Sequence, residues 1–164
     1  MDVTITLVFY FPFDSMKTIP LKEVKSIVLD MFCLPKDAEF KLTASGLNSL
    51  AQAHDITVHW QEIDLWKYIE WGNVDFDMEM LETALYFKYN CSSDILLIDN
   101  SLNPIVGFQV KCNGLESFEN QYIKKFDSRF SGDYNYLFIN PQQRLVSGVH
   151  PWGDASQFQI PKPK

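Results

Sequence analysis

Two stretches in the last third of this 164-residue chain faintly echo one another, and the echo restricts the architecture more than any other feature. Leu96-Leu97-Ile98-Asp99 passes through Asn100 to Pro104 into Ile105-Val106-Gly107-Phe108. Leu137-Phe138-Ile139-Asn140 passes through Pro141 to Arg144 into Leu145-Val146-Ser147-Gly148-Val149. An apolar run, a polar turn and a second apolar run read as a β-hairpin in each case. Between them Leu115, Phe118, Tyr122, Ile123 and Phe126 recur at helical spacing, with Gly114 at the entrance and Gly132 beyond the exit. Two copies are too few for a propeller or solenoid, which needs several units to bury their faces. The expected arrangement is hairpin, helix, hairpin within one antiparallel sheet.

The rest of the chain supplies elements to join that sheet. Val3 to Phe11 is rich in β-branched and aromatic residues and stops at Pro12, as a strand would. Pro20 opens an amphipathic helix with Leu21, Val24, Ile27, Val28, Met31 and Phe32 on one side and Lys22, Glu23, Lys25 and Asp30 on the other, ended by Leu34-Pro35. Glu39 to Thr43 suggests a short strand and Leu47 to Ala53 a short helix. Ile56, Val58 and Trp60 alternate with Thr57, His59 and Gln61 in a half-exposed strand pattern. Leu65 to Trp71 suggests a helical turn, and Asp77 can cap a helix running to Tyr89, with Glu79 and Glu82 in its favourable early turns. The sum is an α+β fold. It is a single domain over residues 1–160, with a mainly antiparallel sheet of five to seven strands, about three helices (near 21–33, 77–89 and 115–127) largely on one face, and a frayed tail at 161–164.

Composition sets the class of protein. With 46% hydrophobic, 15% aromatic and 21% charged residues, the chain is too apolar to be disordered, and its apolar runs are too short to span a bilayer. Met1-Asp2-Val3 lacks the basic leader of a signal peptide, so the expected location is the cytoplasm. Cys33, Cys91 and Cys112 are odd in number and without paired spacing; they are expected as buried thiols in a reducing compartment. Only two arginines, Arg129 and Arg144, face a pI of about 4.8, which opposes nucleic-acid binding.

The acidity is concentrated. From Trp60 to Glu82 three of the four tryptophans (Trp60, Trp66, Trp71) stand among seven carboxylates, with Lys67 the one cation. Seven negatives and one positive give this block −6 of the total −7, leaving −1 for everything else. Solvation alone requires no indoles and a core requires no acids, whereas a protein interface combines aromatic anchors with a charged rim. Trp66, Trp71 and Phe76 are the expected anchors; Glu70, Asp75, Asp77, Glu79 and Glu82 are the expected steering charges. The partner they fit is a basic protein.

Catalytic and cofactor signatures are weaker. His54 and His59, an odd number apart, would point to opposite sides of a strand, and no third metal ligand stands at recognisable spacing. Ser45-Gly46 and Ser147-Gly148 are outside any nucleophile elbow, and no phosphate-cradling glycine loop occurs. Asp99 to Asn103 carries oxygen ligands without the glycine or closing glutamate of a calcium loop. The carboxylate pairs lack a spacing that would establish glycoside hydrolysis. His150, in Gly148-Val149-His150-Pro151-Trp152-Gly153-Asp154, can act as a general base if Asp154 or Asp99 orients it, which would make the chain a small hydrolase. No cofactor or metal is expected.

In size, acidity, aromatic content and lack of catalytic motifs, the chain resembles bacterial toxin-immunity proteins of contact-dependent or polymorphic systems. The resemblance implies a non-enzymatic antidote that binds a cognate toxin, such as a nuclease, and masks its active site. A structural or adaptor module of a phage or secretion system is the other non-catalytic class compatible with these residues.

Overall fold

The computed structural model describes residues 17–64, 94–111, 115–127, 136–149 and 154–163. They form seven strands and three helices: β1 (Lys17–Ile19), α1 (Leu21–Phe32), α2 (Ala44–Ala53), β2 (Gln61–Asp64), β3 (Ile95–Asp99), β4 (Val106–Val110), α3 (Leu115–Phe126), β5 (Tyr136–Asn140), β6 (Leu145–Val149) and β7 (Asp154–Gln159). All seven strands join one antiparallel sheet in the order β1-β4-β3-β5-β6-β7-β2. The expected α+β fold with a mainly antiparallel sheet is therefore the observed one.

The internal echo has a geometric meaning. Leu97 stands opposite Phe138, with Leu96 opposite Ile139 and Ile98 opposite Leu137. The central corresponding pair, Leu97 and Phe138, thus face each other and their neighbours are exchanged about them, as a local two-fold axis between β3 and β5 requires, and β4 and β6 flank that pair as the outer arms of the hairpins. Each hairpin turn is built by its last strand residue. Asp99 Oδ1 accepts from the Ser101 N–H at 2.9 Å, and Asn140 Oδ1 accepts from the Gln143 N–H at 3.1 Å, both side chains replacing a main-chain acceptor in the turn.

Because residues paired across antiparallel strands share a face, the register divides the sheet into two surfaces. Ile19, Leu96, Ile98, Leu137, Ile139, Val146 and Phe158 form the first, packed with Val24, Val28, Leu29 and Phe32 of α1 and Leu47, Leu50 and Ala51 of α2. The second carries Leu97, Phe108, Val110 and Phe138 together with Asp99, Asn140, Ser147 and Gln157, all buried. There α3 lays Phe118, Tyr122 and Phe126 against Phe108, with ring centroids 5.3, 6.3 and 6.4 Å away. Two of the three described helices cover one face, and α3 covers part of the other.

Helix ends show how the chain is fixed locally. Each described helix is followed by a non-glycine residue in the left-handed region: Cys33 (φ 55°), Asp55 (φ 54°) and Asp127 (φ 52°). Aspartate tolerates this conformation better than most residues; cysteine has no such compensation. At the end of α1 the Leu34 N–H returns to Leu29 O at 2.9 Å and the Cys33 N–H to Asp30 O at 3.0 Å. The Arg144 guanidinium takes the next carbonyl, Met31 O, and also donates to Ile160 O at 3.3 Å and Pro161 O at 2.9 Å. One of only two arginines is thereby used as an internal clamp between α1, the β5–β6 turn and the residues after β7.

Several expectations require correction. Cys33 is exposed rather than buried, because the left-handed turn after α1 directs it outward. Glu39 to Thr43 is not a strand: Leu42 is buried, its carbonyl accepts from Asn100 Nδ2 at 3.3 Å, and the segment packs on α2 instead of pairing. Residues 56–60 keep the expected alternation of half-buried and exposed side chains, but the ladder begins only at Gln61, because Ile56, Val58 and Trp60 turn into the helix-covered core. The expected strand at 3–11, turn at 65–71 and helix at 77–89 lie outside the described residues.

Candidate functional site

Trp66, Glu70, Trp71, Asp75, Phe76, Asp77, Glu79 and Glu82 all lie outside the described residues, as does His150. The flanks of the acidic segment are described. The described part of the sheet stops at Asp64, the end of β2 and of the described strand order, and the description resumes at Asp94 before β3, four strand positions away. Four inter-strand steps correspond to about 19 Å. β2 and β3 also run in the same direction, so Asp64 and Asp94 stand at opposite ends of the sheet.

Trp60, the first indole of the block, is a core residue. Its ring meets Phe158 edge-on at 4.3 Å, its Nε1–H donates to Asn48 Oδ1 at 3.2 Å, and it is only partly exposed. Burying the ring while giving its N–H a partner is the usual requirement for an interior indole. Glu62 is exposed on β2.

The remaining titratable candidates are dispersed or internally engaged. Asp99, 1% exposed, accepts from Ser101 through both its N–H and its hydroxyl, and from the Tyr122 hydroxyl at 2.6 Å. Its oxygens tie the β3–β4 turn to α3. Ser147 is fully buried and accepts from Gln157 Nε2 at 3.0 Å. Ser45 is exposed within α2, its hydroxyl 3.2 Å from that of the capping Thr43. Among the described residues no group of three His, Cys, Asp or Glu side chains can hold a metal ion. No described helix is long and apolar enough to cross a membrane.

Two kinds of concavity are lined by described residues. A groove of about 690 Å³ lies between residues 35–41 and α2, with Phe40 and Leu50 toward its base and Asp37, Lys41, Ser49 and His54 among its polar groups. Its wall is held firmly: Lys36 Nζ donates to Ser26 O at 2.8 Å and pairs with Asp30 at 2.5 Å, while the Lys25 ammonium sits 5.7 Å from the Phe40 ring centre. The wall can approach α2 because residue 46 is glycine; a Cβ there would be 2.1 Å from Lys41 O.

The second concavity is a pair of adjoining hollows of about 330 and 430 Å³ beside β7, meeting at His59 and Gln159. Gln61, Gln143 and Gln157 line the first; Thr57, Pro161 and Lys162 line the second. These glutamines were not among the residues nominated from sequence. Their signal was the alternation Gln157-Phe158-Gln159-Ile160, a half-buried strand with amides on one side. The chain matches no family model, no curated protein and no solved structure.

Proposed function

We propose that this chain is a stoichiometric antidote: it binds a basic partner protein, a cognate bacterial toxin such as a nuclease, and masks its active site from the cytoplasm of the producing cell. The observation that carries this reading is the placement of −6 of the −7 net charge, with three indoles, in the 23 residues from Trp60 to Glu82. An enzyme that cleaves nucleic acid must present cations to phosphate. A carboxylate-rich segment can occupy the same positions and steer association toward ~10⁸ M⁻¹s⁻¹ at low salt.

The internal use of other polar groups supports the same reading. Arg144 and Asp99 are engaged in holding the fold and are not offered to a partner. Trp60 packs in the core, which leaves Trp66, Trp71 and Phe76 as the proposed anchors. The test is a titration of variants against the toxin encoded beside the gene. Trp66→Ala or Trp71→Ala should weaken binding by at least ~2 kcal/mol, whereas neutralising Glu70, Asp75, Asp77, Glu79 or Glu82 should mainly slow association and flatten its salt dependence. Unchanged affinity and rate across both sets would refute the assignment.

A further inference from the structure

We draw no further inference here: the strongest candidate, the groove between residues 35–41 and α2, sets Phe40 and Leu50 beneath a rim of both charge signs, Asp37 and Glu39 with Lys41, and nothing in the structure shows what covers it.

Discussion

Gly46→Ala is the sharpest test of how the wall of the larger groove is held. The added Cβ would lie 2.1 Å from Lys41 O and 2.8 Å from the carbonyl carbon of the same residue, both main-chain atoms that cannot rotate aside. Restoring an ordinary contact requires residue 41 and α2 to separate by roughly 1 Å. Two anchors resist that movement. Thr43 Oγ1 caps α2 by accepting from the Gly46 N–H at 3.0 Å, and Leu42 O accepts from Asn100 Nδ2 at 3.3 Å. Overpacking strain costs about 1–3 kcal/mol, and a weakened cap about 1 kcal/mol. Against these, alanine is the better helix former by about 1 kcal/mol. The steric term wins, with a net loss of about 2 kcal/mol. For a chain of this size the thermal midpoint should fall by roughly 4–8 °C, read by circular dichroism, with the urea m-value unchanged. Ser49→Ala, on the exposed side of the same helix, removes no such constraint and should be neutral or stabilising by a few tenths of a kcal/mol. A Gly46→Ala midpoint equal to or above wild type would show that residues 36–42 are not seated against α2 as described.

Other substitutions separate backbone strain from contact energy. Cys33→Gly removes an exposed side chain from a left-handed residue and should stabilise the protein by about 1 kcal/mol, visible as a higher urea midpoint. Arg144 (φ 56°) poses the same question with contacts added. Arg144→Ala should destabilise through loss of the clamp on Met31, Ile160 and Pro161, and Arg144→Gly should recover about 1 kcal/mol of that loss by relieving the backbone. Asp99→Ala should cost about 3 kcal/mol, because the Asp99 bonds to Ser101 and to the buried Tyr122 hydroxyl are lost together, while Tyr122→Phe should cost about 1 kcal/mol; a double-mutant cycle in denaturant measures the coupling. Trp60→Phe should cost about 1 kcal/mol of stability for the lost Asn48 bond and leave partner affinity unchanged, in contrast to the variants at Trp66 and Trp71.

The parts of the fold legible in the sequence are those where local pattern and tertiary role agree. The two hairpins, α1 and α3 were readable because apolar spacing alone requires them, and in each hairpin a polar residue able to close the turn ends the first strand. β1 and β7 were not foreseen. Lys17-Thr18-Ile19 is three residues long and gains its strand identity from pairing with Gln109, Phe108 and Gly107, a partner far away in sequence. β7 mixes amides with Phe158 and is a strand because β6 and β2 flank it. The reading of 39–43 as a strand failed for the complementary reason: the local pattern fits a strand, but Gly46 offers a helix surface to pack on and no described strand pairs with the segment. Of the candidate sites, the acidic segment was legible as charge and aromatic content. The hollows beside β7 were not, since they exist only where segments distant in sequence diverge.

The distribution of polar residues over the two faces of the sheet explains how the strand register is fixed. On the α1/α2 face every buried strand position is apolar, and packing alone holds the layers together. On the opposite face the β6–β7 region buries Ser147 and Gln157 as a mutually bonded pair, at a cost that a fully apolar sheet would avoid. Satisfied amides of this kind fix register, because a one-residue slip would carry Gln157 to the apolar side without an acceptor. The same fixed register keeps Gln61 opposite Gln157 and so determines where β2 and β7 begin to part. The divergence beside β7 is therefore set by the pairing that precedes it and not by the exposed His59 and Lys162 that line the hollows there.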